Sequence, residues 1–183
     1  LNQLVVQMHG EPGSGKSTVA RAIAPHIGAV VLDKDVIKAA LLRAGIAEAQ
    51  AAPAAYDVNF AQAESVLTLG HDLILDNPVF WPSVERRWLE LCQRAGSPAV
   101  LIECVCADEV ELRRRLATRD ALESQPRIPL KLSRHSSAAA TSFQPRLVPD
   151  TTRPITDLVD DALGYIEALT TESPLPRGAG GRT

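Results

Sequence analysis

HGEPGSGKST, residues 9–18, carries three glycines and a lysine ahead of Ser17 and Thr18, and its reading decides the fold. Gly10, Gly15, Lys16 and Ser17 satisfy G-x-x-x-x-G-K-[ST], the phosphate-binding P-loop, a pattern that gains force between a strand and a helix. Both flanks comply. LVVQM (4–8) is an apolar run of strand length, while STVARAIAPHIG (17–28) has Val19, Ala22, Ile23 and Ile27 at helical spacing and is expected to stop near Pro25 and Gly28. Backbone can wrap phosphate oxygens only where side chains do not obstruct it and positive φ is allowed, which is what glycine supplies. Successive N–H groups and the positive end of the helix then face the anion, Lys16 reaches the β and γ phosphates, and the Ser17 hydroxyl ligates magnesium.

The chain of 183 residues suits one domain with a sizeable core, and 45% hydrophobic residues exclude wholesale disorder. A formal charge of -3 gives no general attraction to polyanions, which argues against a nucleic-acid partner. Cys92, Cys104 and Cys106 lack paired metal spacing and read as reduced core thiols. Neither an apolar run of membrane-spanning length nor a leader pattern stands out, so the expected compartment is the cytoplasm, which supplies ATP and magnesium.

Strand-like and helix-like segments alternate, predicting an α/β protein with a parallel sheet covered by helices. After the first unit come a strand at Ala29 to Leu32, a helix from about Asp35 to Ala44, and an Ala-rich stretch broken by Pro53. A helix over Ala54 to Leu69, a third strand within DLILDN (72–77), a helix ending at Gly96 and a fourth strand in AVLIECVC (99–106) follow. The charged helix DEVELRRRLATRD (108–120) leads into an irregular segment. PRLVPD (145–150) reads as a short fifth strand and ITDLVDDALGYIEAL (155–169) as the closing amphipathic helix. The domain is assigned to 1–172, with a lid at about 120–142 and a flexible tail at 173–183.

Ligands of open parallel sheets bind outside the carboxyl ends of the strands. Asp33 and Asp35 follow the second strand and Asp76 ends the third. A carboxylate there can take the proton of an acceptor hydroxyl or hold magnesium through water. Asp35 also suits a helix N-cap, and Asp76 a turn beside Asn77 and Pro78. Arg115 and Arg119, in the run that includes Arg113 and Arg114, share one helix face that can clamp phosphate; pairing with Glu109 and Glu111 as a solvated face is the alternative. His9 reads as a locally bonded residue. Trp81 and Trp88 suit packing, with Trp81 also placed to wall an acceptor pocket together with Tyr56.

These segments resemble the small P-loop kinases of the nucleoside-kinase-like group, which includes polynucleotide 5′-kinase, chloramphenicol phosphotransferase, gluconate kinase and zeta-type toxins. The likeness runs from about Leu4 to Leu169. It implies a five-stranded sheet in the order 2-3-1-4-5 and an ATP loop of Gly10, Glu11, Pro12, Gly13, Ser14, Gly15, Lys16, Ser17 and Thr18. LDKDVIKAAL (32–41) maps the catalytic base to Asp35 and its companion to Lys38. LRRRLATR (112–119) maps the lid-opening arginines to Arg115 and Arg119, and VPDTTRPITDL (148–158) places Thr152, Arg153 and Pro154 beside the adenine. The implied activity is transfer of the ATP γ-phosphate to a small-molecule hydroxyl, with Asp33, Lys38, Tyr56, Asp76 and Trp81 around the acceptor and magnesium held by Ser17 and, through water, Asp76. Two other readings fit the same loop, a polynucleotide 5′-hydroxyl kinase and a non-catalytic module that senses ATP. DNPVFWP (76–82) lacks the polar character of the polynucleotide kinases, and the absence of N-K-x-D disfavours a GTPase.

Overall fold

The structure is a computed structural model that describes residues 3–79, 81–118, 122 and 143–172. Apart from Leu122, the expected lid lies outside these residues, as do Arg119 and the tail. Four parallel strands, β1 Val5–His9, β2 Val30–Asp33, β3 Leu73–Asp76 and β4 Val100–Glu103, form a sheet in the order β2-β3-β1-β4. The helices are α1 Lys16–Ile27, α2 Lys34–Arg43, α3 Glu48–Thr68, α4 Pro82–Ala95, α5 Glu109–Thr118 and α6 Ile155–Glu172.

Both faces of the sheet are covered, which is why its strands read as continuous apolar runs. Alternate side chains enter separate cores. Val6, Met8 and Ile74 pack with Val19 and Ile23 of α1 and with Leu158 and Ile166 of α6. Val5, Leu73, Leu75 and Leu101 pack with Phe60 of α3 and Trp88 and Leu91 of α4. Each such fully buried side chain contributes about 1.5–3 kcal/mol. Gln7 and His9 alternate with Val5 and are also buried. The Gln7 amide donates to Asn77 Oδ1 at 2.8 Å, Asn77 Nδ2 donates to Asn59 Oδ1 at 2.8 Å, and the Val79 N–H donates to His9 Nδ1 at 3.0 Å. This network fixes the turn that follows β3.

Among the described residues the sheet has four strands, not five. Segment 145–150 does run parallel beside β4, but only as two isolated bridges, Ile102 to Leu147 and Val105 to Asp150. Pro145 and Pro149 have no N–H to donate, so a continuous ladder cannot form. Two helices also outrun their prolines. α1 continues through Pro25 to a left-handed Gly28, and α3 starts at Glu48 rather than after Pro53. One lost backbone bond in a 21-residue helix is offset by the buried Ala51, Ala55, Tyr56 and Phe60 on its inner face.

Candidate active site

Residues 10–15 link β1 to α1 and take their shape from three glycines. Gly10, Gly13 and Gly15 have φ of 140°, 82° and 88°. A Cβ at Gly10 would lie 2.4 Å from the Cys104 carbonyl oxygen, and one at Gly13 would lie 2.9 Å from Leu112 Cδ1. The loop is therefore threaded between the end of β4 and the apolar side of α5. Gly15 caps α1 without a side-chain bond, so the first N–H groups of that helix stay available to an anion. A cleft of about 680 Å³ opens over Lys16, Ser17 and Thr18 and is walled by Arg114, Arg115 and Arg153.

A three-part strut braces this loop. Thr151 is buried, and its hydroxyl donates to Ser14 O at 2.7 Å while accepting from Arg115 Nη1 at 2.8 Å. Arg115 Nη2 donates to Thr151 O at 2.8 Å, and its Nε donates to Glu111 Oε1 at 2.8 Å. A Cβ on Gly15 would meet Thr151 atoms at 3.1 Å, so threonine and glycine are in direct contact. Arg114 binds the same carboxylate through Nε at 2.6 Å and Nη2 at 2.8 Å. The two guanidiniums hold the Glu111 carboxyl down to about 2. The pairing of the arginine run with Glu109 and Glu111, the alternative read from the sequence, is present in the structure, but sequence reasoning passed over Thr151, since two adjacent threonines give no sign of which one is turned inward.

On the opposite side of Lys16 the carboxylates gather. Parallel register pairs Asp33 with Asp76 at the ends of β2 and β3. Asp33 Oδ1 accepts the Asp35 N–H at 2.9 Å, so Asp33 is the cap of α2 and Asp35 stands in its first turn. That corrects the alternative role considered for Asp35. Asp33 also pairs with Arg21 at 3.2 Å, Asp35 with Lys34 at 2.8 Å and Lys38 with Glu48 at 2.5 Å. Asp76 is 2% exposed and neither of its oxygens has a hydrogen-bond partner in bonding geometry. Burial pushes its carboxyl up, against the pull of Lys16 and the Ser17 hydroxyl, while Asp33 and Asp35 add to the rise. An orphaned buried carboxylate beside the serine of a glycine cradle fits the ordered water of a magnesium ion.

Tyr56 from α3 turns its hydroxyl to Pro78 O at 3.0 Å, with the Lys34 ammonium 5.2 Å from its ring centroid. The Trp81 ring stands perpendicular to it at 5.7 Å. Among the adenine candidates, Arg153 lines the cleft and is paired with Asp161 at 2.6 Å. Thr152 is exposed and bonded to Asp150, and Pro154 is exposed. The cysteines are free, and burial pushes the Cys92 and Cys104 thiols up to about 12. No described helix is long and apolar enough to cross a membrane.

Residues 5–141 match the family model described as AAA domain. No curated protein matches. Among solved structures, a sugar kinase from a Janibacter species superposes with a TM-score of 0.65 at 18% identity, covering 93% of this chain and 98% of that one. A gluconokinase from Sinorhizobium meliloti superposes with a TM-score of 0.56 at 19% identity over 93% and 95% of the two chains. The APS kinase CysC of Mycobacterium tuberculosis, in complex with AMPPNP and APS, gives 0.61 at 17% identity over 91% and 98%. At such identities the likeness is one of fold.

Proposed function

We propose that this chain, which belongs to the AAA domain family and has the fold of the small P-loop kinases, is a kinase that transfers the γ-phosphate of ATP to a hydroxyl of a small molecule. The observation that carries the reading is the convergence of three parts at the carboxyl end of one sheet: the glycine cradle with Lys16 and Ser17, the unpartnered buried Asp76, and Asp33 and Asp35 beside it. A sensor of ATP needs the first part; a phosphotransferase needs all three.

In this reading the loop N–H groups and Lys16 hold the β and γ phosphates, which are met by fixed dipoles in a site already ordered. Magnesium, when bound, neutralises charge on the phosphate oxygens; Ser17 would hold it and Asp76 would orient its water. Asp35 accepts the proton of the acceptor hydroxyl as that oxygen bonds to the γ-phosphorus, the bond to the β–γ bridging oxygen breaks, and ADP leaves. The Lys34 ammonium, 2.8 Å from Asp35, orients the carboxylate for that role. Arg115 supports the nucleotide side through Thr151, and Arg119, outside the described residues, remains the candidate for contact with the transferred group.

Thermal stabilisation by MgATP together with labelled γ-phosphate transfer to hydroxyl compounds tests the proposal. Lys16→Ala should lose both while the unliganded protein melts as wild type does, because Lys16 contacts ligand and supports no core. Stabilisation without transfer to any hydroxyl would identify a binding module.

A further inference from the structure

Resting on the kinase reading, we propose that the acceptor is an uncharged alcohol bearing a ring, and that Trp81 recognises the ring face. The acceptor hydroxyl must reach Asp35 and the γ-phosphate, which places the rest of the molecule along the ends of β2 and β3. Three carboxylates, Asp33, Asp35 and Asp76, already share that edge. Among the described residues, the cations that flank them are engaged: Arg21 by Asp33 at 3.2 Å, Lys34 by Asp35 at 2.8 Å and Lys38 by Glu48 at 2.5 Å. Lys16 belongs to the phosphates. A carboxylate or phosphate on the acceptor would enter this edge against the buried Asp76 carboxyl and would find the described cations beside it already paired. An acceptor cation would compete with Lys34 for Asp35 and disturb the base.

The remaining wall is aromatic. Trp81 is 54% exposed, five residues beyond Asp76, and is set perpendicular to Tyr56, whose hydroxyl is committed to Pro78 O. Tyr56 thus presents ring rather than donor. The buried Gln7, Asn77 and Asn59 amides pin the start of the turn after β3, and the Trp81 indole packs at 5.7 Å against Tyr56, whose ring lies 5.2 Å from the Lys34 ammonium that pairs with Asp35. An exposed indole at the rim of a polar site offers a flat apolar surface for a ring, whether a sugar face or an aryl group.

The test is γ-labelled transfer from MgATP to matched acceptors: glucose against glucuronate, benzyl alcohol against 4-(hydroxymethyl)benzoate, and glycerol as an open-chain control. Expected is transfer to at least one uncharged ring compound, with kcat/KM at least about ten-fold above its carboxylate partner and above glycerol. Trp81→Ala should collapse the preference for rings over glycerol, and Trp81→Phe should keep it. Preference for the carboxylate partners, a ring preference that survives Trp81→Ala, or no transfer to either uncharged ring compound by a protein that MgATP stabilises would each overturn the inference. Wild-type protein that MgATP fails to stabilise would instead overturn the kinase reading beneath it.

Discussion

Replacing Thr151 with valine keeps the shape of the side chain and removes only its hydroxyl, which isolates the strut under the phosphate loop. The hydroxyl donates to Ser14 O at 2.7 Å, with Val105 O a second acceptor at 3.0 Å, and accepts one charge-assisted bond from Arg115 at 2.8 Å. Such bonds contribute about 1 and about 1.5–3 kcal/mol. Arg115 keeps its bonds to Thr151 O and Glu111 and has a side chain 25% exposed, so water can replace part of the second contribution. The net loss should be about 2 kcal/mol, a fall in Tm of about 4–8 °C for a chain of this size. Because the freed carbonyl belongs to the loop that wraps phosphate, the affinity for MgADP should also fall, by about five- to ten-fold. Thr151→Ser restores the hydroxyl and should recover affinity to within about three-fold, at a cost of under about 1 kcal/mol for the methyl group. Melting curves and calorimetric titration of the three proteins measure both quantities. Lost stability with unchanged MgADP affinity in the valine variant would show the strut to support the fold alone, and a valine variant indistinguishable from wild type would refute the reasoning.

Asp35→Asn leaves the Asp33 cap in place and removes an ion pair worth at most about 1 kcal/mol, so folding should change little while transfer falls roughly 10²-fold or more; near-normal transfer would move the base to Asp33. Asp76→Asn removes a buried charge whose burial outweighs the pull of Lys16 and the Ser17 hydroxyl, so the unliganded protein should gain about 1 kcal/mol, yet stabilisation by MgATP should drop, as paired melts with and without nucleotide will register. The same carboxyl is raised in the folded state, so its charged form opposes folding: its unfavourable contribution is absent below the unfolded value near 3.8 and grows as pH rises toward the folded value. Glu111 has the opposite sign. Its carboxyl is depressed to about 2, so its bonds with Arg114 and Arg115 persist on acidification through pH 4.5 and fail only toward pH 2, which a carboxyl NMR titration of Glu111 will follow.

The loop, its flanking strand and helix, and the apolar runs of the sheet were legible because each depends on local chemistry: glycine where a Cβ collides, alternation of side chains, helical spacing. Asp33, Asp35 and Asp76 were legible as a group because strand ends converge in a parallel sheet. What periodicity could not reveal was pairing across the chain. The segment at 145–150 looks like a strand, and only its two prolines and its position against β4 reduce it to two bridges. Pro53 seemed to break a helix that burial on its inner face carries through. Thr151 and Thr152 are indistinguishable in sequence, since the contact with Gly15 joins residues more than 130 apart. The resemblance pointed to the exposed threonine, while the structure turns its neighbour toward the loop.

The chain contains two tryptophans, and the fold has put them in opposite environments. Trp88 is fully enclosed in the α3–α4 core with the Phe143 ring centroid at 4.9 Å, whereas Trp81 stands exposed against Tyr56, where the acceptor ring is proposed to sit. Their emission should therefore separate without any label, a short-wavelength component that reports whether the core is intact and a long-wavelength, quencher-accessible component that reports what touches the rim. Occupancy of the acceptor edge and loss of the fold would thus be recorded by different colours of light from the same unmodified protein.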